Sequence, residues 1–273
     1  DTACSSSVAA LHFGGLHLKR SDCARVLAAT ATLVLAPHVS ITYARAGMLS
    51  IDGKCKTFDE RANGYVRGEG VGAVVLSAED SAADVDSAAI CASSVRHDGT
   101  SASLTAPNGS AQVELLREAR ARAALEGNSQ WLIESHGTGT SLGDPTEMRA
   151  LTRAHAGAVL IGVKATTGHL EPSAGMIGVQ HLLMGLFSAQ AVPNAQLRVL
   201  NSRVAPAFES RDDAWLMPVA TCEHQRCALA MAGITGGVSS FGYSGTIAHV
   251  ALTAKRGVTI SASMDAKRRT VAM

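Results

Sequence analysis

Asp1-Thr2-Ala3-Cys4-Ser5-Ser6-Ser7 opens the chain and runs into an apolar-periodic stretch, Val8, Ala9, Leu11, Leu16 and Leu18, that reads as a helix. A thiol is thereby mounted on a helix's first turn. Unpaired backbone N–H groups and the positive end of the helix dipole stabilise a thiolate there, which predicts a pKa below the usual value of about 8.5. Small neighbours keep the sulfur accessible, so the placement is that of a nucleophile. Taken alone, a cysteine is more often a small apolar core residue. Two later segments change that weighting: His136-Gly137-Thr138-Gly139-Thr140, and Lys164-Ala165-Thr166-Thr167-Gly168-His169-Leu170-Glu171. Each reads as a strand end running into a glycine turn that carries histidine, which completes a Cys/His/His set in fixed chain order.

Further motifs follow the same order: Arg45 to Ser50, Cys55-Lys56-Thr57-Phe58-Asp59, Gly64-Tyr65-Val66-Arg67-Gly68-Glu69-Gly70, Leu104 to Gly109, Gly143-Asp144-Pro145-Thr146-Glu147 and Gly237 to Gly242. With these residues the chain resembles the β-ketoacyl synthase family, in particular the condensing domain of type I polyketide synthases and of multifunctional fatty acid synthases. The resemblance covers residues 1 to about 254. The Gly68, Gly70, Gly72 cluster is not a dinucleotide fingerprint: its spacing is G-x-G-x-G, and Val71 to Leu76 after it reads as a strand rather than a phosphate-facing helix.

A chain of 273 residues with 47% hydrophobic and 17% charged residues can bury one large core or two fused ones. Net charge of +1 and 4% aromatic residues argue against a nucleic-acid partner. The longest apolar stretches, such as Val26 to Ala36, fall short of the roughly 20 apolar residues that cross a bilayer, so no membrane span is expected. Six cysteines without tight repeated spacings suit a reducing interior, the cytoplasm or an organelle stroma. Cys222, His224 and Cys227 offer three ligands close together, but a structural zinc needs a fourth, and a loop before a strand is the better reading; no metal is expected.

Strands alternating with helices predict a layered α/β architecture with mostly parallel sheets. Ala24 to Leu35 and Gly72 to Ser77 read as buried strands separated by a long loop. A second series follows: a strand over Ala88 to Val95, a helix over Ala111 to Glu126, a strand at Trp131 to Ser135, and a helix from Asp144 to His155. Then come a strand at Ala158 to Val163, a helix from Ala174 to Ala189, and strands Cys227 to Ile234 and Thr246 to Leu252 flanking a Gly236 to Gly245 loop. The Ala174 helix is apolar nearly all round, which marks it as buried between layers.

The resemblance implies a thiolase-like fold, two βα halves stacked as five layers, with the first half incomplete. Residues 1–87 are the remainder of the N-terminal half, 88–254 the C-terminal half, and 255–273 a tail or linker. The chain opens inside a motif that the family places after a strand and so looks truncated. The missing strands would leave one side of a sheet exposed, so the piece is expected to be poorly soluble and not to turn over.

By the same resemblance, Cys4 is the nucleophile that takes an acyl group, activated by its helix position rather than by a strongly paired base. His136 and His169 donate to the extender's thioester carbonyl, and Lys164 supplies a fixed cation that orients them. Thr138 and Thr140 bind the pantetheine arm. Phe241 and Tyr243 line the substrate site, and Glu171 orients the lysine or a histidine. The domain binds no cofactor of its own. Its substrates, an acyl chain and a malonyl-type extender, ride on the phosphopantetheine of an acyl carrier protein, and the full-length domain is a homodimer.

Gly242-Tyr243-Ser244-Gly245-Thr246-Ile247-Ala248-His249 departs from the family's Gly-Phe-Gly-Gly-Thr-Asn-Ala-His. Tyr243 stands where the family has a gating phenylalanine. Ser244 would be strained if its position needs positive φ, at roughly 1 kcal/mol, and Ile247 removes an amide that could tie the loop down. Three rivals stay open: the same domain in a fatty acid synthase, a non-catalytic dimer or carrier-docking partner, and a thiolase. The last is weakened by the lack of a second cysteine in the Gly236 to Gly245 segment.

Overall fold

The computed structural model describes residues 1–78, 86–100, 106–123, 131–188, 190–208, 215–218, 227–228 and 235–256. A 3-10 turn, Ala3–Ser5, leads into α1 (Ser6–Lys19), followed by β1 (Arg25–Thr32), α2 (Pro37–Arg45) and β2 (Gly70–Ser77). Next come β3 (Asp86–His97), α3 (Gly109–Arg122), β4 (Trp131–Glu134), α4 (Gly143–Ala154), β5 (Ala158–Ile161), the single turn α5 (Lys164–Thr167) and α6 (Ala174–Ser188). The short strands β6 (Gln190–Ala191), β7 (Trp215–Leu216) and β8 (Cys227–Ala228) precede β9 (Thr235–Phe241) and β10 (Thr246–Arg256).

One six-stranded sheet runs in the order β3-β10-β9-β4-β5-β7. It is mixed: β9-β4-β5-β7 is parallel, as crossovers through helices require, while β3-β10-β9 is antiparallel. β1 and β2 form a separate antiparallel pair, from Arg25 opposite Ser77 to Thr32 opposite Gly70.

α1 and α6 fill the space between the pair and the sheet. Glycines permit the close approach: a Cβ at Gly175 of α6 would come within 2.7 Å of Val8 in α1, and one at Gly72 of β2 within 2.6 Å of Met176. Val8, Leu11, Ala28, Leu132, Met176, Val179, Leu182 and Val250 make this inner core. Across the sheet, α3 and α4 bury Val113, Leu116, Met148 and Leu151 against Trp131, Ile133 and Leu160. Asn108 starts α3 by accepting the N–H groups of Ser110 and Ala111. The described residues thus build four layers: strand pair, α1 with α6, large sheet, and α3 with α4.

Three expectations are corrected. β1 and β2 are not buried strands: their burial alternates, and Leu27, Val71 and Val75 face outward at 68%, 77% and 64% exposure, because nothing described covers that side. The expected long loop between them contains α2, which buries no residue among those described. Residues 236–241 of the expected Gly236 to Gly245 loop belong instead to a wholly buried strand, Thr235–Phe241. Its glycines are packing sites rather than turn formers, since a Cβ at Gly236 would strike Leu182 and one at Gly237 the ring of His249. Of the expected strand Cys227 to Ile234, residues 229–234 lie outside the described residues, as do Glu126 and nearly all of the 255–273 tail.

Candidate active site

Cys4 sits in the 3-10 turn two residues before α1 begins, directly after Ala3, whose φ of 53° is left-handed. The turn is bolted from both sides: the Thr2 N–H donates to Ser6 Oγ, and Ser240 Oγ of β9 donates to the Cys4 carbonyl at 2.6 Å. The sulfur is buried, and burial pushes the thiol up to about 12, with Glu171 adding to the shift. Lys164 and the Tyr243 N–H pull the other way without overcoming it. The expected low pKa is therefore corrected, because loss of water outweighs the helix-start position. Nor is the thiol without a paired base: His169 Nε2 lies 3.1 Å from Sγ.

His136 follows β4 on a loop that the Cys55 to Asp59 and Gly143 to Glu147 motifs hold from beneath. Glu147 of α4 accepts the His136 and Gly137 N–H groups at 2.6 and 2.8 Å. Asp144 accepts those of Gly139 and Phe58, and Thr57 Oγ1 donates to the Gly137 carbonyl. Gly139 has φ of 78° and no room for a Cβ, which would lie 2.7 Å from the Lys56 nitrogen. Burial raises Asp144 to about 6 and Glu147 to about 7. The Phe241 N–H donates to His136 Nδ1 at 3.3 Å, so the ring carries its proton on Nε2.

His169 is reached from β5 through α5 and Gly168, whose φ is 76°. Its backbone pairs with the strand-like Val66-Arg67-Gly68: the His169 N–H donates to the Val66 carbonyl, and the Gly68 N–H to that of His169. The ring packs edge-on against Tyr65, centroids 5.0 Å apart, and against His136 at 5.6 Å. Both histidines are held well below their ordinary pKa, by burial first and then by Lys164, so both are neutral near pH 7. Lys164, in the only turn of α5, is itself buried. Glu171 is engaged elsewhere: its carboxylate grips Arg67 Nε and Nη2 at 2.5 and 3.0 Å, which corrects the expectation that it orients the lysine or a histidine directly.

Cys4, His136, His169, Thr138, Thr140, Phe241 and Tyr243 meet on one cavity of about 250 Å³. Thr138 and Thr140 have their hydroxyls 3.2 Å apart. Lys164 and Glu171 lie behind this wall rather than in it. In the closing turn, Gly245 takes the positive φ of 98° and Ser244 does not, so the strain expected at Ser244 is absent. Ile247 packs with Leu115 and Phe241 in a small core, replacing a tie by hydrogen bond with apolar contact. Met48, Tyr65 and Gln112 also line the cavity. Nothing in the sequence marks their side chains, because Met, Tyr and Gln are common residue types whose direction only the fold supplies. His12, His17, His155, His181 and His249 lie off the cavity, as does exposed His97.

Among the described residues, no group of three His, Cys, Asp or Glu gathers to hold a metal ion, and no helix is long and apolar enough to cross a membrane.

Residues 1–82 match the beta-ketoacyl synthase N-terminal domain and residues 87–198 the C-terminal domain of the same family. The chain is 39% identical over 262 residues to a phenolphthiocerol/phthiocerol polyketide synthase of Mycobacterium tuberculosis, and 36% identical over 269 residues to 6-methylsalicylic acid synthase of Aspergillus niger. These alignments cover 92% and 94% of this chain but only 14% and 15% of the relatives. The ketosynthase from module 6 of the Bacillus subtilis bacillaene synthase superposes with a TM-score of 0.83 at 34% identity, over 92% of this chain and 46% of that one.

Proposed function

The chain belongs to the β-ketoacyl synthase family, as a ketosynthase domain of the type I polyketide synthase kind with the thiolase-like fold, and we propose that it condenses an acyl chain held on Cys4 with a carrier-bound malonyl-type unit. The observation that carries this reading is the 3.1 Å approach of His169 Nε2 to Cys4 Sγ beside His136 in one cavity.

In the first half-reaction the Cys4 S–H bond is replaced by a bond to the acyl carbon. The proton passes by way of His169 to the departing pantetheine thiolate. A neutral imidazole at hydrogen-bond distance makes this possible for a thiol that burial keeps protonated. The N–H groups of Cys4 and Tyr243 face the sulfur and would hold the oxyanion. In the second half-reaction the malonyl carboxylate leaves as carbon dioxide, and its bonding pair passes to the enolate. His136, with its proton on Nε2, donates to that oxygen, and His169 donates beside it once its ring proton has moved from Nδ1 to Nε2 by exchange with water, an arrangement worth several kcal/mol of barrier. The enolate carbon then attacks the acyl carbon, and Cys4 leaves as thiolate and regains a proton from water.

Lys164 keeps both rings neutral, the state in which they donate without a counter-charge. Thr138 and Thr140 would bind the arm, Phe241 holds His136, and Tyr243 narrows the cavity. Glu171 acts through Arg67. Residues 1–87 and 88–254 would be the two halves of the domain and 255–273 a tail or linker. The partners are an acyl carrier protein and, in the full-length domain, a second copy, in the cytoplasm or an organelle stroma. The relatives' names favour a polyketide over a fatty acid product.

Intact-mass spectrometry of the protein that carries this chain, after incubation with an acyl-carrier thioester, tests the reading. An acyl adduct lost in Cys4→Ala supports it. A folded protein that takes up no acyl group moves the reading to a non-catalytic partner.

A further inference from the structure

Tyr243, 41% exposed, and the Gly47-Met48 backbone form part of the cavity wall above Cys4. Both converge on one residue that no sequence motif singled out, Tyr43 in the last turn of α2. Its ring meets that of Tyr243 edge-on, centroids 6.1 Å apart at 70°, and after burial Tyr243 is the next cause that pushes the Tyr43 hydroxyl's pKa up. Its carbonyl accepts the Met48 N–H at 3.0 Å. On its other side the Arg67 guanidinium lies 5.4 Å from the ring centroid. Arg67 is itself fixed by Glu171 and by Ser40 of the same helix. Since α2 buries no residue, these ring and hydrogen-bond contacts, rather than a core, hold it against the site.

Resting on the condensing-site reading and deepening it, we propose that Tyr43 is a specificity-determining positioning residue: it props the Tyr243 ring and the Gly47-Met48 segment and so sets how bulky an acyl group can reach Cys4. Tyr243 carries a hydroxyl that the family's phenylalanine lacks, so this prop has a polar as well as an aromatic part. Removing the ring of Tyr43 leaves Tyr243 free to swing and the wall free to recede, which relaxes size discrimination.

The test compares wild type, Tyr43→Phe, Tyr43→Ala and Tyr243→Phe in the protein that carries this chain. The rates at which Cys4 is acylated by acetyl and octanoyl N-acetylcysteamine thioesters are read by intact mass. The expected result is an octanoyl-to-acetyl rate ratio raised about tenfold in Tyr43→Ala, and about threefold in Tyr43→Phe and Tyr243→Phe. Equal slowing of both thioesters, or an unchanged ratio in all three variants, overturns the inference while leaving the condensing reading intact. Should Tyr43→Ala not fold, the ratio in Tyr43→Phe decides. A wild type that takes up neither acyl group overturns the site reading and the inference together.

Discussion

A buried thiol beside a neutral imidazole behaves differently from a thiolate at an open helix end. With Cys4 pushed up to about 12, only a small fraction is ionised near pH 8, and that fraction grows about tenfold per pH unit. Alkylation of Cys4 by iodoacetamide, followed by peptide mass spectrometry, is therefore expected to be slow at pH 8. It should keep accelerating past pH 9, where an ordinary cysteine levels off. Levelling near pH 7 would show that the helix end wins after all. Arg67 and Glu171, with side chains 9% and 12% exposed, are the other residue-scale hinge of the site. Glu171→Gln leaves the guanidinium buried without its counter-charge, so a loss of about 3–5 kcal/mol in denaturant unfolding is expected. Glu171→Gln combined with Arg67→Met should recover part of that loss.

Among the elements, α6 does the most to position the site, because it backs the turn that carries Cys4, the strand β4 that ends at His136, and β9 beside it. Leu182, fully buried against Gly236 of β9, is its central contact. Leu182→Ala is expected to cost about 2–5 kcal/mol, read from the denaturation midpoint at unchanged slope. Gly236→Val should be at least as damaging, since even a Cβ there would come within 2.6 Å of the Leu182 side chain. α2 stands at the opposite extreme: with nothing buried, its exposed face should tolerate substitution, while Tyr43 and Ser40 should not.

For the whole molecule, proton binding sets the acid limit of stability. His136, His155, His169 and His249 are all held below their ordinary 6.5 by burial. Below about pH 6.5 the unfolded chain therefore binds protons that the folded chain refuses, and stability falls as pH falls. Asp144 and Glu147, raised to about 6 and about 7, oppose this by taking up protons first in the folded state. Four sites outweigh two, each net proton being worth about 1.4 kcal/mol per pH unit. The denaturation midpoint should be lower at pH 5 than at pH 7; a rise would mean that the carboxyls dominate. The outward face of β1 and β2 is the second whole-molecule feature. Leu27, Val71 and Val75 form an uncovered apolar strip, so the isolated chain is expected to self-associate in light scattering, and Leu27→Lys with Val75→Lys to suppress it.

Cys4, His136 and His169 stood out in the sequence because the motifs that carry them follow the chain order of the β-ketoacyl synthase family, and the apolar α6 announced its place between layers by composition alone. What the linear order could not carry was distance and water. The thiol's high pKa, the 3.1 Å base beside it and the diversion of Glu171 to Arg67 arise from residues roughly 100 or more positions apart closing around one another and excluding solvent. The strand at Thr235–Phe241 was hidden for the same reason. Its glycines look like turn formers until Leu182 and His249 are seen to occupy the space a side chain would need. Residue type and the order of the motifs determined which groups were expected to meet at a site, by resemblance to the β-ketoacyl synthase family. Tertiary packing decided their protonation, their partners and the shape of the cavity, since burial and close approach are properties of the folded chain alone.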